Sequence, residues 1–434
     1  MKKLIILILL TMSIIFLYAQ KSRPSVEIEQ HKSASPDMAQ AHMVQAKINW
    51  NPKFIEGNNA FAFKMYKELN KEHTNLFFSP YSLSTIFAML YAGAGGQTAR
   101  QIASTFNFTQ PTDTLNYEFK QLQDNIVTTK KFDTVQLKMA NGLFLAKRFQ
   151  THFRKEFLAM AKDNYDAEII ALNFRDKVNS AATINKWVDD KTNHTITKIV
   201  KPGTLDSLTV SVLTNAIYFK GEWAVIFMKR FTKEDNFFYQ KKGNVKASQS
   251  VMMMDRQAFY KYLDTGTLKV IQLPYVGEIS MIILLPQINE DISILESQLN
   301  NTNLNDWLSR MSFQTVNVFL PKFRIDESYD GLIKNFRHLG MTTPFDIRNA
   351  NFSKMIDNPQ PYVHDLVHKT FVSVDELGTE AAAITEAGMF PKGGREPGEI
   401  HTFRADHPFI FMIRHNTSGS ILFLGKIENP GNVK

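Results

Sequence analysis

The sequence predicts one large mixed α/β domain, with helices gathered early and sheet gathered late. Three observations predict it. The chain of 434 residues is long enough for a large core. Apolar residues recur at helical spacing mainly in the earlier part, and apolar, β-branched runs of strand length take over later. The two kinds of text alternate irregularly, without evenly spaced strand–helix–strand units and without internal repeats.

The opening MKKLIILILLTMSIIFLYAQ reads as a secretory signal over residues 1–19. Lys2 and Lys3 form its basic end, residues 4–17 its apolar stretch, and Ala19 the small residue before cleavage at Gln20. The apolar run falls short of the roughly 18 residues of a spanning helix, so no stable membrane span is expected once the signal is removed, an uncleaved anchor being the alternative. Residues 20–54 are polar and mixed, with SRPS and SASPD, and read as a tether leading to a folded region at 55–434.

A first helix is expected over 58–69, with an apolar stripe at Phe61, Met65 and Leu69. Ser79-Pro80 opens a second over 82–94, whose Leu83, Ile86, Phe87 and Leu90 imply burial on most sides. Shorter helices are expected at 98–106, 151–164 and 180–192. Strands are expected at 137–145, 209–219, 267–274, 279–286 and 315–323. VHKTFVSVDE (367–376) alternates with a period near two, the mark of a strand with different environments on its two sides. Residues 407–427 read as two strands joined by the turn Asn416-Thr417-Ser418-Gly419.

Between these last strands stands ELGTEAAAITEAGMFPKGGREPG (376–398). Its alanines favour helix, but its flanks are strands and it lacks periodic apolar content. It reads as a plain surface linker or as a functional loop, since a loop of this length in a compact domain is usually functional.

Composition removes several classes of function. Cysteine is absent, so disulfides and a lipid anchor on cysteine are excluded. The formal charge is +8, and Lys2 and Lys3 leave with the signal. The remaining basic residues are scattered rather than interleaved with aromatics, which argues against a nucleic-acid surface. His73, His152, His194, His338 and His368 lack Glu or His partners at ligand spacing, so no metal or cofactor is expected. Gly93 to Thr98 is Gly-rich but follows a helix and lacks Lys-Ser/Thr, and no Gly-x-Ser-x-Gly elbow occurs. An enzyme is not expected.

Several motifs nevertheless stand in a familiar order. Asn75-Leu76-Phe77-Phe78-Ser79-Pro80-Tyr81-Ser82-Leu83 resembles the stretch that opens helix B in serpins, the large family of serine and cysteine protease inhibitors. Thr214-Asn215-Ala216-Ile217-Tyr218-Phe219-Lys220-Gly221-Glu222-Trp223 is similar to the family's strand carrying Asn, with the Trp that follows it. Val367-His368-Lys369 is similar to the start of its central strand 5, and Glu376 to Ala383 to the proximal hinge of inhibitory members. Asp406 to Phe411 and Phe423 to Pro430 resemble the closing signature. The resemblance covers about residues 55–434.

It implies a mixed α/β fold of the multi-domain class, with three β-sheets, about nine helices, a reactive-centre loop exposed over about 376–400, and a metastable native state. The target protease is acylated on cleaving the loop, which then enters the main sheet and carries the protease to the far pole. Glu376, Gly378, Thr379, Glu380, Ala381, Ala382 and Ala383 correspond to the hinge. On Thr379's side of the strand fall Ala381, Ala383, Thr385, Ala387 and Met389, all small or moderate, as an entering strand requires. The family's spacing of about 16 residues from the hinge Glu places the reactive bond at Lys392–Gly393, with Arg395–Glu396 as the alternative in a tail several residues longer than usual. Met389 or Phe390 would instead face a chymotrypsin-like or elastase-like enzyme.

Ser79, Asn215 and His368 correspond to the shutter beneath the main sheet, where hydroxyl, amide and imidazole are expected to serve one another as partners. Lys322 corresponds to the partner of Glu376, expected as a partly exposed pair worth about 0.2–1 kcal/mol. The implied partner is a serine protease, trypsin-like by the Lys392 bait, or a cysteine protease. The protein is expected to be a secreted monomer, extracellular or periplasmic, without cofactor. A non-inhibitory binding or transport protein is the alternative.

Overall fold

Asn51 starts the first helix by accepting a hydrogen bond from the Lys53 amide at 3.1 Å, and Pro52 supplies the preset φ of a first helical residue. The helix runs Pro52–Leu69, opening inside the stretch expected as tether, because Phe54 and Ile55 already bury apolar surface. The computed structural model describes residues 48–71, 74–128, 135–206, 209–241, 245–288, 290–364, 366–379 and 399–431. Residues 50–434 form one unit, which carries every helix and strand found among the described residues. The expected signal, the tether before residue 48, and residues 380–398 lie outside the described residues.

Nine α-helices lie among the described residues: Pro52–Leu69, Pro80–Gly93, Gly96–Phe106, Thr112–Thr128, Lys155–Tyr165, Lys177–Lys191, Ile292–Ser297, Asn301–Arg310 and Ile333–His338. Ser79 caps Pro80–Gly93 by accepting from the Ser82 amide at 3.1 Å. Gly96–Phe106 ends on Asn107 in the left-handed region at φ 56°. The expected helix over 151–164 is divided. A three-ten segment Lys147–His152 precedes the α-helix Lys155–Tyr165. Between them Phe153 is buried in a bridge to Ile356, and the Arg154 amide donates to Met355 O at 2.9 Å. Those tertiary contacts hold the two residues extended and override the local helical pattern.

Fifteen strands lie among the described residues. In chain order they are β1 (Leu76–Phe78), β2 (Val135–Ala146), β3 (Glu168–Leu172), β4 (Ser211–Glu222), β5 (Lys233–Lys241), β6 (Val245–Asp264), β7 (Leu268–Pro274) and β8 (Ile279–Pro286). The later ones are β9 (Ser312–Pro321), β10 (Phe323–Tyr329), β11 (His368–Val374), β12 (Gly378–Thr379), β13 (His401–Arg404), β14 (Phe409–His415) and β15 (Ile421–Ile427).

One sheet has six strands in the order β10-β11-β12-β4-β2-β3. The other two expected sheets are joined into one nine-stranded sheet, β1-β15-β14-β8-β7-β6-β9-β13 with β5 on β6. The join is β6, which pairs with β5 over 245–253, with β9 over 253–262 and with β7 over 261–264. The helix Pro80–Gly93 packs against β4 of one sheet and β15 of the other, which explains its burial on most sides. On the opposite face of the six-stranded sheet, Lys177–Lys191 covers β2, with Trp187 edge-on to Phe144 at 5.4 Å.

Candidate functional site: the hinge and the lane between β4 and β11

β4 and β11 are the neighbours that matter. They are parallel and pair directly at only three positions, Lys369 with Ala216, Thr370 with Ile217 and Phe371 with Tyr218. Beyond those pairs the chain turns back on itself and places β12 between them. Gly378 pairs with Glu222, Thr379 with Gly221 on one side, and Thr379 with Val374 on the other. The base of the loop is thus already seated in the sheet as two residues of antiparallel strand.

The turn that achieves this is built from Asp375. Its Oδ1 accepts from the amides of Leu377 at 2.9 Å and Gly378 at 3.2 Å, while its own amide donates to Gly378 O at 2.9 Å. Burial nevertheless pushes the Asp375 carboxyl above its ordinary range. Gly378 has φ +154°, and a Cβ there would stand 2.0 Å from Gly221 O. Only glycine lets this turn touch the β4 backbone. Gly378 lies in the hinge that the resemblance marks, but its contact with Gly221 is not visible in the sequence.

Thr379 is fully buried, and its hydroxyl lies 2.6 Å from that of Tyr275. Tyr275 stacks on Trp223, with centroids 4.4 Å apart. Trp223 in turn holds the turn by its backbone, donating Nε1 to Asp375 O at 3.0 Å and its amide to Leu377 O at 2.9 Å. The Phe227 amide donates to Glu376 O at 2.9 Å. Trp223 belongs to a motif legible in the sequence. Tyr275, more than fifty residues downstream, carries no local signal.

Glu376 and Lys322 meet at 3.3 Å, with side chains 10% and 13% exposed. The pair is therefore more deeply set than the partly exposed one expected. Burial raises the Glu376 carboxyl, but hydrogen bonds to the carboxylate and the Lys322 ammonium outweigh it and hold the group below its ordinary value.

At the other end of the direct β4–β11 pairing lie the shutter candidates. Ser79 and His368 meet, the Ser79 amide donating to His368 Nε2 at 3.0 Å. The Ser79 hydroxyl does not join them. It donates to Leu422 O at 2.7 Å, tying β11 and the helix start to β15. Asn215 is bonded to neither. Its Nδ2 donates to Asn141 Oδ1 at 2.7 Å, Asn141 Nδ2 donates to Tyr165 O at 2.7 Å, and Asn215 Oδ1 has no hydrogen-bond partner among the described residues. The expectation of a mutually bonded trio is corrected: the Ser79 hydroxyl goes to the Leu422 carbonyl of β15 and the Asn215 amide to the Asn141 side chain of β2, so only Ser79, through its backbone amide, and His368 bond directly. Burial alone pushes the His368 imidazole down to about 3, so it is neutral and accepts through Nε2.

Glu380, Ala381, Ala382, Ala383, Lys392, Gly393, Arg395 and Glu396 lie outside the described residues. The far anchor of the loop is described. Ile400 is exposed, and β13 pairs in parallel with β9 from His401–Val316 onward. Arg404 on β13 is clasped by Asp406, at 3.0 Å, and by Asp235 of β5.

Histidines do find acidic neighbours across space, contrary to their sequence spacing. His338 Nδ1 lies 3.3 Å from Glu68, and His194 Nδ1 2.8 Å from Asp189. Asp189, Asp190 and His194 are the one group of potential metal donors that converge among the described residues, and Asp190 is held by Lys186 at 3.0 Å. No helix among the described residues is long and apolar enough to cross a membrane.

Known proteins share this arrangement over nearly its whole length. A family model described as serpin (serine protease inhibitor) matches residues 56–430. The leukocyte elastase inhibitor of Homo sapiens is 37% identical over 383 residues, spanning 86% of this chain and 98% of its own. Among solved structures, Serpin48 of the insect Tenebrio molitor superposes with a TM-score of 0.75 at 29% identity, covering 87% of this chain and 98% of its own. The thermophilic serpin tengpin, in its native state, gives 0.76 at 27% identity over 88% of this chain and 96% of its own. Motifs, sheet topology and these likenesses agree, and the chain belongs to the serpin family.

Proposed function

We propose that the protein is a secreted, single-use inhibitor of serine proteases that traps its target by drawing its loop between β4 and β11. The observation that carries this reading is the seat of Gly378 and Thr379 in that lane, followed in sequence by a row of side chains able to continue. Continuing the antiparallel register from Thr379–Gly221, each step along the loop moves one step back along β4. Thr385 would then arrive opposite both Asn215 and His368, bringing a hydroxyl to the Asn215 Oδ1 that now lacks a partner among the described residues. Met389 would reach Ser211, the first residue of β4, and Lys392 would emerge three residues beyond it.

In the reaction, the protease serine oxygen bonds to the Lys392 carbonyl carbon, the bond to Gly393 breaks, and the Gly393 amine leaves with a proton. The acyl ester is left on the protease. Residues 393–434 remain held by β13, β14 and β15, so only denaturation frees them. The Lys392 side chain suits an acidic, trypsin-like pocket. Relatives named as leukocyte elastase inhibitors support a second reading, in which a chymotrypsin-like or elastase-like enzyme attacks after Met389 or Phe390. Export rests on the N-terminal signal read from the sequence.

Mass spectrometry of the small fragment released by denaturing the complex distinguishes these readings. We expect Gly393 at its N-terminus. Lys392→Ala should slow inhibition of trypsin by on the order of a hundredfold, as loss of a buried charge partner implies. A fragment beginning at Glu396 moves the bait to Arg395, and one beginning at Phe390 or Pro391 favours the chymotrypsin-like or elastase-like reading. Cleavage without any adduct favours the non-inhibitory alternative.

A further inference from the structure

At the end of β14 and β15 opposite their connecting turn at 416–419 lies a pocket of about 490 Å³, a size that suits a small molecule. Pro286 at the end of β8, Pro408 just before β14 and Lys426 near the end of β15 bound it. So do Asn70, just past the helix Pro52–Leu69, and residues of the helix Ile292–Ser297. None of its lining residues belongs to β4, β11 or β12, so the pocket stands apart from the lane in which the loop is proposed to insert.

The buried donors of this lining are spent. The Lys426 ammonium, on a residue only 2% exposed, lies 3.2 Å from Glu296 Oε1, 3.6 Å from Glu428 Oε2 and 3.3 Å from the Lys71 carbonyl. Both ring nitrogens of His407 are taken, by Asp406 Oδ1 and Pro286 O, each at 2.8 Å. Acceptors remain. Glu296, whose side chain is 15% exposed, takes both the Tyr66 hydroxyl, at 2.9 Å, and Lys426 on Oε1. Its Oε2 has no hydrogen-bond partner among the described residues. Asn70 Oδ1 is buried and likewise has none. Four carboxylates, Glu290, Asp291, Glu296 and Glu428, line the pocket against two ammonium groups, Lys426 and the exposed Lys246. Apolar surface completes it: Phe238 and Ile288 are exposed, beside Pro286, Ile292 and Pro408.

We propose that this pocket binds a small organic cation, a primary amine carrying an apolar body. The ammonium donates to Glu296 Oε2, a charge-assisted bond to a carboxylate largely withdrawn from water. The body covers Phe238 and Ile288, removing apolar surface that solvent otherwise wets. An anion would meet the excess of carboxylates and find the buried ammonium of Lys426 already engaged. A neutral ligand would seal Glu296 Oε2 from water and give it no counter-charge in return. The site does not depend on the inhibitor reading.

Three probes built on one ring system separate the charge from the body: tryptamine, tryptophol and indole-3-acetate, each titrated into the full chain by calorimetry. Tryptamine should bind about tenfold more tightly than tryptophol, and indole-3-acetate should not bind. Glu296→Gln should weaken tryptamine about tenfold and leave tryptophol unchanged, a split that a merely structural role of Glu296 would not produce. Phe238→Ala, which trims an exposed wall residue, should weaken both about fivefold. No binding of tryptamine overturns the site, and so does equal affinity for tryptamine and tryptophol. Equal loss of both ligands in Glu296→Gln, or unchanged binding in Phe238→Ala, overturns it as well. Should Glu296→Gln fail to fold, the three probes and Phe238→Ala decide.

Discussion

Thr379 has room for a methyl and a hydroxyl and little else. It is sealed between Val374 and Gly221, with its hydroxyl against that of Tyr275. An arginine there would bury an unpaired charge, at a cost of several kcal/mol. Thr379→Arg should therefore drive the hinge out of the sheet and turn the inhibitor into a substrate. Denaturing gels with a trypsin-like protease check this: adduct should fall by on the order of a hundredfold, with cleaved chain in its place. Lys322 makes a second case. Lys322→Met strands the Glu376 carboxylate at 8% exposure and should cost about 3 kcal/mol of stability. Adding Glu376→Gln should restore most of it. Denaturant midpoints of the single and double variants measure both, and equal losses in the two would contradict a buried ion pair.

At the scale of elements, two histidines sit at strand ends, His368 opening β11 and His415 closing β14. Burial pushes His368 down to about 3; burial, with Arg414 adding to it, pushes His415 down to about 4. Each binds its proton near 6.5 in the unfolded chain. As pH falls from about 6.5 towards 4, the unfolded chain takes up two protons that the native chain refuses. Stability thus falls with falling pH in that window, by up to about 1.4 kcal/mol per pH unit for each histidine, and is indifferent to them above it. Unfolding midpoints between pH 7.5 and 5 give the slope, and His415→Gln should halve it.

These strands also show what is legible in the sequence. The strand at 279–286 is legible at both ends, and 137–145 falls within β2, because a buried strand writes its own apolar run. β5 and β6 are not legible, since KEDNFFYQK carries polar text on a sheet edge and β6 bends through three partners. At the site, the hinge residues 376–379 stand out by local composition. Tyr275, Gly221 and Asn141 do not, because their roles come from pairings between distant parts of the chain, as in Thr379–Gly221, Thr379–Tyr275 and Asn215–Asn141.

For the whole molecule, the structure is arranged around an unfinished sheet. β4 and β11 hold together by three pairs, β12 occupies one end of their lane, and a cavity lies at the other. A strand running the full lane must break those three pairs and would gain a ladder on both sides, at about 1 kcal/mol for each hydrogen bond. That difference is the stored drive of the proposed trap. The direct test is to mix the full chain with trypsin, and separately with an elastase, then boil each sample in detergent and resolve it by mass. The inhibitor mechanism predicts a covalent adduct of protease with the chain up to its reactive bond, together with the short C-terminal fragment. Complete cleavage of the loop by both enzymes, with no adduct and with undiminished protease activity, would contradict it.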